Sequence, residues 1–245
     1  MNSEQTAHPD PTRYAPRPPL ADDAAFEQAR QNMIQQQIRT WEVLDPDLLE
    51  LLARVPRERF VPAHLRSLAF VDFELPLNVE GAVTGETMLA PKVEARLLQE
   101  LAIQRHESVL EIGTGSGYMA ALAAHQAQTV WTVEIDPRLR RFGTANLAQA
   151  GVRNAHVEDG DAAHGWPAHA PYDVIIVSGG LPLVPPAMLQ QLKVGGRLAA
   201  IVGRPPAMQA RIITRRAEDH FETLGLFETV TWLLRNAERP SAFRF

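Results

Sequence analysis

The sequence contains no cysteine among its 245 residues, which excludes disulfide bonds and thiolate chemistry and gives no sign of an oxidising compartment. It also lacks a basic surplus, because 24 Lys and Arg stand against 29 Asp and Glu, a formal net charge of -5. A nucleic-acid binder needs positive charge to neutralise phosphates, so no nucleic-acid partner is expected. The eight histidines follow no ligand spacing, which predicts the absence of a metal site.

Long apolar runs are missing as well. No segment approaches membrane-spanning length, and the N-terminus has no apolar stretch of the kind that a secretory signal requires. We therefore expect a cytoplasmic protein with no membrane contact. The hydrophobic fraction of 45% and charged fraction of 22% are those of a globular protein. This length favours one large domain, or one domain with a small extension.

A glycine-rich turn separates a predicted strand from a predicted helix. Residues 108–112 form a short, mostly apolar run that suits a buried strand, and residues 118–127 have helical character. Gly113, Gly115 and Gly117 alternate between them. A strand, glycine turn and helix in this order let the backbone approach a ligand closely. The alternative is a turn that binds no ligand, but three glycines there would cost backbone entropy with no compensating interaction.

The spacing of these glycines indicates the kind of ligand. A dinucleotide motif has the pattern G-x-G-x-x-G, whereas here the third glycine comes one residue earlier and Tyr118 holds the sixth position. Glu111 precedes the first glycine by two residues. An acid there suits a cation better than a pyrophosphate, and S-adenosylmethionine carries a sulfonium and an ammonium group.

The pattern also resembles the first motif of the class I S-adenosylmethionine-dependent methyltransferases. That resemblance implies an α/β, Rossmann-like fold with about seven mostly parallel strands, helices on both faces and, here, an N-terminal helical extension. It also implies that the cofactor contacts the turn, at the residues Glu111, Gly113, Thr114, Gly115, Gly117 and Tyr118.

A second acid lies at the end of the next predicted strand, residues 129–135. Glu134 lies 23 residues after Glu111 (134 minus 111), a spacing that leaves room for one helix between the two strands. An acid at this position can accept hydrogen bonds from both ribose hydroxyls of a nucleoside, next to Ile135. The alternative role, capping the following helix, suits Asp136 better because Pro137 comes next.

A narrower resemblance joins several further segments. They are residues 33–39 (MIQQQIR), 55–57 (VPR), 60–62 (FVP), 85–91 (GETMLAP), 160–161 (GD), 165–167 (GWP) and 195–198 (GGRL). In this order they resemble the protein-L-isoaspartate O-methyltransferases over about residues 33–203. The resemblance implies methyl transfer from S-adenosyl-L-methionine, with S-adenosyl-L-homocysteine as product. It further implies that Asp161 accepts a hydrogen bond from the adenine amino group beside Ala162, and that Thr87, Met88 and Leu89 lie near the cofactor.

One position departs from that family. Its pattern Gly-x-Thr-Ile-Ser-x-Pro carries a catalytic-site serine, and this sequence has Leu89 there. Three hypotheses follow. The acceptor is not an isoaspartyl peptide (a small molecule, for example) and is oriented by Thr87, Lys92, Glu94 or Ser178, with Glu94 as a base if desolvated. Alternatively, Thr87 supplies the missing hydroxyl for protein or peptide carboxyl methylation. In the third, the protein binds the cofactor without catalysis, as a sensor or assembly component.

The predicted organisation has three parts: a flexible proline-rich tail over residues 1–23, a helical subdomain over 24–84, and the cofactor-binding methyltransferase domain over 85–245. A monomer or a homodimer is expected. The remaining predicted helices cover residues 24–40, 45–54, 91–103, 137–150 and 185–192. The remaining predicted strands cover residues 154–158, 173–178, 196–202, 210–215 and 228–234, the last two antiparallel.

Overall fold

A computed structural model describes residues 23–238 of the chain. The tail predicted over residues 1–23 lies outside this range except for Asp23, which begins the first helix. The α-helices are α1 (Asp23–Met33), α2 (Pro46–Arg54), α3 (Pro91–Leu101), α4 (Tyr118–Gln126), α5 (Pro137–Gln149) and α6 (Pro186–Leu189). A π-helical turn (Ile34–Ile38) and a 3-10 turn (Arg39–Trp41) continue α1, and further 3-10 turns cover Arg57–Arg59, Ala63–Leu68 and Pro167–His169.

Seven strands form the central sheet. They are β3 (Ser108–Ile112), β4 (Thr129–Glu134), β5 (Ala155–Asp159), β6 (Tyr172–Leu181), β7 (Leu192–Arg204), β8 (Ala207–Ala217) and β9 (His220–Glu228), after a short antiparallel pair of β1 (Leu75–Pro76) and β2 (Thr87–Met88). The order across the sheet is β5-β4-β3-β6-β7-β8-β9. The first five strands are parallel, and β8 and β9 are antiparallel to their neighbours. The predicted fold class is confirmed.

The strand order reverses direction between β3 and β6. The chain moves from β3 to β4 and β5 on one side, then crosses to β6 on the other side of β3. Ligands of open α/β sheets bind at such a point, beyond the carboxyl ends of the strands. The glycine turn follows β3 directly, and Ser178 lies near the end of β6.

Alternating strand residues supply two hydrophobic cores. Val109 and Val174 face one side of the sheet, where α2, α3, α4 and α5 pack together with the N-terminal segment. Leu110 and Ile175 face the other side, which is covered by α6 and by the loop that carries Trp166. Because strands of a parallel sheet are buried on both faces, their sequences are apolar almost throughout.

The predicted helix cap at Asp136 is confirmed, and Asp45 caps α2 in the same way. The Asp45 carboxylate accepts hydrogen bonds from the backbone N–H groups of Asp47 and Leu48, and the Asp136 carboxylate accepts one from Arg138 N. Each satisfies donors that the first helical turn leaves free. None of the helices within residues 23–238 combines the length and the apolar character that a membrane span requires.

The last predicted strand is wrong. The sheet ends with β9. Residues 229–238 make only one isolated bridge to the sheet, between Leu233 and Gly180 of β6. β9 is an edge strand with mostly exposed side chains, so its sequence carries little apolar signal. The apolar residues that follow it, including Leu234, pack instead over the carboxyl end of β6.

Candidate active site

A cleft opens beyond the carboxyl ends of the parallel strands. The empty space between its walls, including the open mouth, is about 650 Å³. Its lining consists of Leu77, Glu86, Thr87, Ile112, Gly113, Gly115, Val133, Glu134, Ile135, Leu139, Gly160, Asp161, Ala162, Ala163, Ser178, Gly179, Thr231, Trp232, Leu234 and Arg235.

The glycine turn forms the floor of the cleft. Gly113 has a φ of +93°, a backbone conformation that a residue with a Cβ rarely adopts. Behind the turn, Gly143 of α5 allows close packing, because a Cβ there would lie 2.7 Å from Thr114 Cγ2 and 3.0 Å from the Gly115 carbonyl oxygen. The sequence analysis missed Gly143, since a single glycine inside a helical pattern carries no signal of what it contacts.

Glu134 lies at the end of β4, buried beside the glycine turn. Its carboxylate accepts one hydrogen bond from Gly115 N and one from Asp136 N, each 2.9 Å long. Burial raises the pKa of Glu134, and these two backbone donors oppose the rise. Each oxygen keeps a second lone pair, so the oriented carboxylate can still accept hydrogen bonds from a ligand in the cleft.

Asp161 is an exposed acid on the opposite wall, after β5. One carboxylate oxygen accepts from Ala163 N at 2.9 Å and the other from Asn236 Nδ2 at 2.8 Å. The Trp166 indole covers Gly160, where a Cβ would lie 2.4 Å from Trp166 Cη2. The two short motifs that contain Gly160 and Trp166 therefore contact each other and fix the turn that presents Asp161.

Glu111 lies behind the cleft wall and is fully buried. Its oxygens accept hydrogen bonds from Ser178 Oγ at 2.9 Å and from Thr132 Oγ1 at 2.7 Å. Thr132 Oγ1 lies 2.7 Å from Thr114 Oγ1, so hydrogen bonds connect the glycine turn to the cleft-lining Ser178. Burial raises the pKa of Glu111 to about 8, against those two hydroxyl donors. The acid thus faces two hydroxyls rather than the open cleft.

Residues 84–91, called the acceptor-side segment here, reach the cleft at Thr87. Its Oγ1 donates a hydrogen bond of 2.7 Å to Glu74 Oε2, and Thr87 lines the cleft. Leu89 does not line it. The Leu89 side chain is only 4% exposed, packed in the core with Met88, and its carbonyl oxygen accepts a 2.6 Å hydrogen bond from Arg57 Nη2.

Lys92 and Glu94 point elsewhere. Lys92 Nζ lies 2.8 Å from Asp72 Oδ2 and 4.2 Å from the centre of the Trp41 ring. Glu94 is buried in an ion pair with the Arg57 guanidinium, and burial raises its pKa to about 7 while Arg57 opposes the rise. Neither side chain is part of the cleft lining.

Arg57 holds the segment that carries Leu89, a role that could not be identified from the sequence. It is fully buried, and besides its contacts with Glu94 and Leu89 its Nε donates to the Ala69 carbonyl oxygen at 2.9 Å. The guanidinium lies 5.0 Å from the centre of the Tyr118 ring. Its motif, Val-Pro-Arg, was visible, but four contacts with distant parts of the chain cannot be read from it.

The structure brings together part of the predicted residue set. Eight of the predicted residues line the cleft: Thr87, Gly113, Gly115, Glu134, Ile135, Asp161, Ala162 and Ser178. The others, Met88, Leu89, Glu94, Glu111, Thr114, Gly117 and Tyr118, lie outside its lining. Within the described residues, no group of three or more His, Asp and Glu side chains could hold a metal ion.

Comparisons with known proteins agree with this geometry. A family model described as protein-L-isoaspartate(D-aspartate) O-methyltransferase matches residues 28–232. Protein-L-isoaspartate O-methyltransferase 1 of Rhodopseudomonas palustris is 40% identical over 82% of this chain and 81% of its own. Protein-L-isoaspartate O-methyltransferase 2 of Pelobacter propionicus is 39% identical over 80% and 86%. A Plasmodium falciparum structure, described as a putative enzyme of this kind in complex with S-adenosyl-L-homocysteine, has a TM-score of 0.72 at 16% identity, covering 84% of this chain and 98% of its own.

The sheet order, the glycine turn at its reversal point and the helices that pack on it are those of the class I S-adenosylmethionine-dependent methyltransferase fold. The family match covers most of the chain, and the bacterial relatives agree with it over similar lengths. The chain belongs to the protein-L-isoaspartate (D-aspartate) O-methyltransferase family, whose cofactor is S-adenosyl-L-methionine.

Proposed function

We propose that the cleft binds S-adenosyl-L-methionine and that the protein methylates a carboxylate of a protein or peptide. The donor set fits this cofactor. Glu134 offers an oriented, buried carboxylate to the ribose hydroxyls, and Asp161 offers an exposed one to the adenine amino group. The acids Glu86, Glu134 and Asp161 give the lining a negative charge, which favours a sulfonium.

Thr87 is the residue that we propose orients the acceptor, with the hydroxyl that Leu89 lacks. The main observation in support of this role is that Thr87 lines the cleft together with Glu134 and Asp161, whereas Leu89 is buried outside it. Thr87 Oγ1 now donates to Glu74, and rotation about χ1 or about the C–O bond turns that donor towards an acceptor oxygen. The lining holds two further hydroxyl residues: Ser178, whose Oγ donates to Glu111, and Thr231.

The reaction needs orientation more than it needs a base. S-adenosyl-L-methionine, when bound, supplies the methyl group on an activated sulfonium. An acceptor carboxylate is already ionised at neutral pH, so the chain's task is to hold one of its oxygens in line and to exclude water. Glu94 is not needed as a base in this scheme, which agrees with its ion pair to Arg57.

The test is a radiolabelled methyl-transfer assay on an isoaspartyl peptide, with the same peptide containing normal aspartate as the control substrate. We expect methylation of the isoaspartyl form, and a loss of about 100-fold in kcat for Thr87→Val, as is usual when one orienting donor is removed. Thr87→Ser keeps the hydroxyl and should stay within about threefold of wild type, a change below about 1 kcal/mol.

Other outcomes would select the alternatives. If Thr87→Val methylates the peptide as well as wild type does, Thr87 has no part in orienting the acceptor. If the peptide is not methylated but cell-extract small molecules are, the acceptor is of another class. Cofactor binding without any turnover would favour a sensor or assembly component.

The same proposal includes a cytoplasmic location, a monomeric or homodimeric state, and the division of the chain into a helical subdomain over residues 24–84 and a methyltransferase domain over residues 85–245.

A further inference from the structure

The chain beyond β9 crosses the carboxyl end of β6 as a strap, defined here as residues 229–238. Gly180 exchanges two backbone hydrogen bonds with it: Gly180 N donates to the Trp232 carbonyl oxygen at 2.7 Å, and Leu234 N donates to the Gly180 carbonyl oxygen at 2.9 Å. The strap therefore runs beside the strand end without joining the sheet as a full strand.

Two adjacent glycines make room for the strap. A Cβ on Gly179 would lie 2.7 Å from Leu234 Cδ2, and one on Gly180 would lie 3.1 Å from Leu233 Cδ2. Side chains on the strand would thus crowd the leucine side chains of the strap. In this position it contributes four residues to the wall of the cleft: Thr231, Trp232, Leu234 and Arg235.

Arg235 ties the strap to both sides of the cleft. On the acceptor side, its Nε donates to Glu86 Oε1 at 2.6 Å and its Nη2 to the Thr84 carbonyl oxygen at 2.9 Å. On the cofactor side, Nη2 donates to Asp136 Oδ2 at 3.2 Å. Asp136 is the residue whose backbone N–H orients the Glu134 carboxylate.

Asn236 makes the second polar connection. Its Nδ2 donates to Asp161 Oδ2 at 2.8 Å, on the acid proposed to accept from the adenine amino group. Arg235 and Asn236 therefore join the strap to the turn before Thr87 and to the surroundings of both cofactor-binding acids. The family model ends at residue 232, so both residues lie beyond the part of the chain that it matches.

We propose that Arg235 and Asn236 form a latch that closes the strap over the bound cofactor and sets how fast it leaves. This inference rests on the proposed assignment of the cleft. A nucleoside lying between Glu134 and Asp161 has Trp232 and Leu234 in the wall beside it, so movement of the strap widens its path out of the cleft. The latch contacts are partly exposed to solvent, and such ion pairs are individually weak, which allows the strap to open.

The latch is a positioning device, because neither residue needs to touch the reacting atoms. Its loss should change the dissociation rate of S-adenosyl-L-homocysteine far more than the stability of the ligand-free protein. Arg216 of β8 is the matched control: it forms an exposed 2.7 Å ion pair with Glu222, towards the end of β8 opposite the cleft.

The experiment measures dissociation of S-adenosyl-L-homocysteine from the full chain by stopped-flow displacement with excess S-adenosyl-L-methionine, following tryptophan fluorescence. For Arg235→Gln we expect a dissociation rate constant about tenfold above wild type, and for Asn236→Ala about threefold, the sizes that the loss of partly exposed polar contacts allows. Arg235→Lys retains a charge for Glu86 and should fall between wild type and Arg235→Gln. Arg216→Gln should equal wild type, and every variant's ligand-free Tm should match it.

A dissociation rate constant for Arg235→Gln within about twofold of wild type, or an equal rise in Arg216→Gln, would overturn the latch. If Arg235→Gln does not fold, Arg235→Lys carries the test, and an unchanged rate there has the same meaning. A wild type that binds no S-adenosyl-L-homocysteine would overturn the site assignment and the latch together. If binding depends on Glu134 but the dissociation rate constant is unchanged in Arg235→Gln, the latch alone is overturned.

Discussion

The two halves of the cleft are built in different ways. The cofactor half consists of turns that directly follow parallel strands, and each of its acids accepts a hydrogen bond from a backbone N–H two positions further on: Glu134 from Asp136 N, and Asp161 from Ala163 N. Gly115 N and Asn236 Nδ2 add one contact each from further away in sequence. The acceptor half consists of residues 84–91, which are held by residues far away in sequence. Arg57 binds the Leu89 carbonyl oxygen, and Arg235 binds Thr84 and Glu86.

This difference indicates in which half of the cleft the side chains can change while the backbone keeps its position. A turn at the end of a parallel strand is fixed by the sheet itself, so its ligand is fixed once the fold is. A loop held by distant arginines keeps its backbone position while its side chains change, as the buried leucine at position 89 illustrates. We infer that acceptor choice resides in the second half, and the predictions below separate the two halves.

The largest expected effect is on the acceptor half. Arg57→Ala leaves Glu94 buried without its partner, and breaking a buried ion pair costs about 3–5 kcal/mol in the free energy of unfolding. Denaturant unfolding should show this loss. Arg54→Ala, which removes an exposed pair with Glu50, should cost under about 0.5 kcal/mol. Equal losses for the two variants would contradict the role assigned to Arg57.

The next effect is on the cofactor half. Glu134→Ala should raise the Kd for S-adenosyl-L-homocysteine about 100-fold, equivalent to about 2.7 kcal/mol, because the ribose loses an oriented acceptor. Isothermal titration calorimetry measures it. Glu222→Ala, an exposed acid of the edge strand β9, should bind as wild type does. Unchanged tight binding in Glu134→Ala would remove Glu134 from the site.

A third effect concerns Glu111, the buried acid behind the cleft wall, and the dependence of stability on pH. The pKa of Glu111 rises from 4.5 to about 8 on folding through burial, so the folded chain holds a proton that the unfolded chain releases between those values. The contribution of Glu111 to stability is therefore complete below about pH 4.5 and is lost as the pH rises towards about 8.

Glu111→Gln removes that dependence: its amide oxygen still accepts from Ser178, while its amide nitrogen donates to Thr132 Oγ1 and so reverses the direction of that hydrogen bond. The Tm of the variant relative to wild type should thus increase with pH, by about 5 °C between pH 5 and pH 8.5. Thermal unfolding of both proteins across that range checks it, and the titration of Glu94 cancels in the difference. A Tm difference that stays constant with pH would show that Glu111 is not protonated in the fold.

The smallest effect is expected at Leu89, where the sequence resemblance implies a serine. Leu89 is buried outside the cleft lining, so Leu89→Ser should change methylation of the isoaspartyl peptide by less than about threefold, under 1 kcal/mol of barrier. The same peptide assay measures it. A large gain would show that position 89 reaches the acceptor and that Thr87 does not replace the missing hydroxyl.

Most of the fold could be predicted from the sequence because its signals are local. The apolar runs of β3, β4 and β6, the caps Asp45 and Asp136, and the glycine turn each depend on neighbouring residues. The edge strand β9 could not be located, since its side chains are mostly exposed and the apolar run after it covers the cleft instead.

The site was predictable only in part for the same reason. Placing Glu134 required only the rule that parallel strands end at one edge of a sheet, whereas Asp161 was expected from the family resemblance. Placing Glu111 required knowledge of side-chain direction, which the hydroxyls of Thr132 and Ser178 reveal. The roles of Arg57 and Arg235 depend on contacts with residues 32 and 149 positions away, and no local pattern contains them.

A crystal structure of the full chain with S-adenosyl-L-homocysteine tests the central claim most directly. We expect the nucleoside across the carboxyl ends of β3, β4 and β5, with its ribose hydroxyls within hydrogen-bond distance of Glu134 and its adenine amino group on Asp161. A nucleoside bound elsewhere, or one that leaves both carboxylates without contact, would contradict the account.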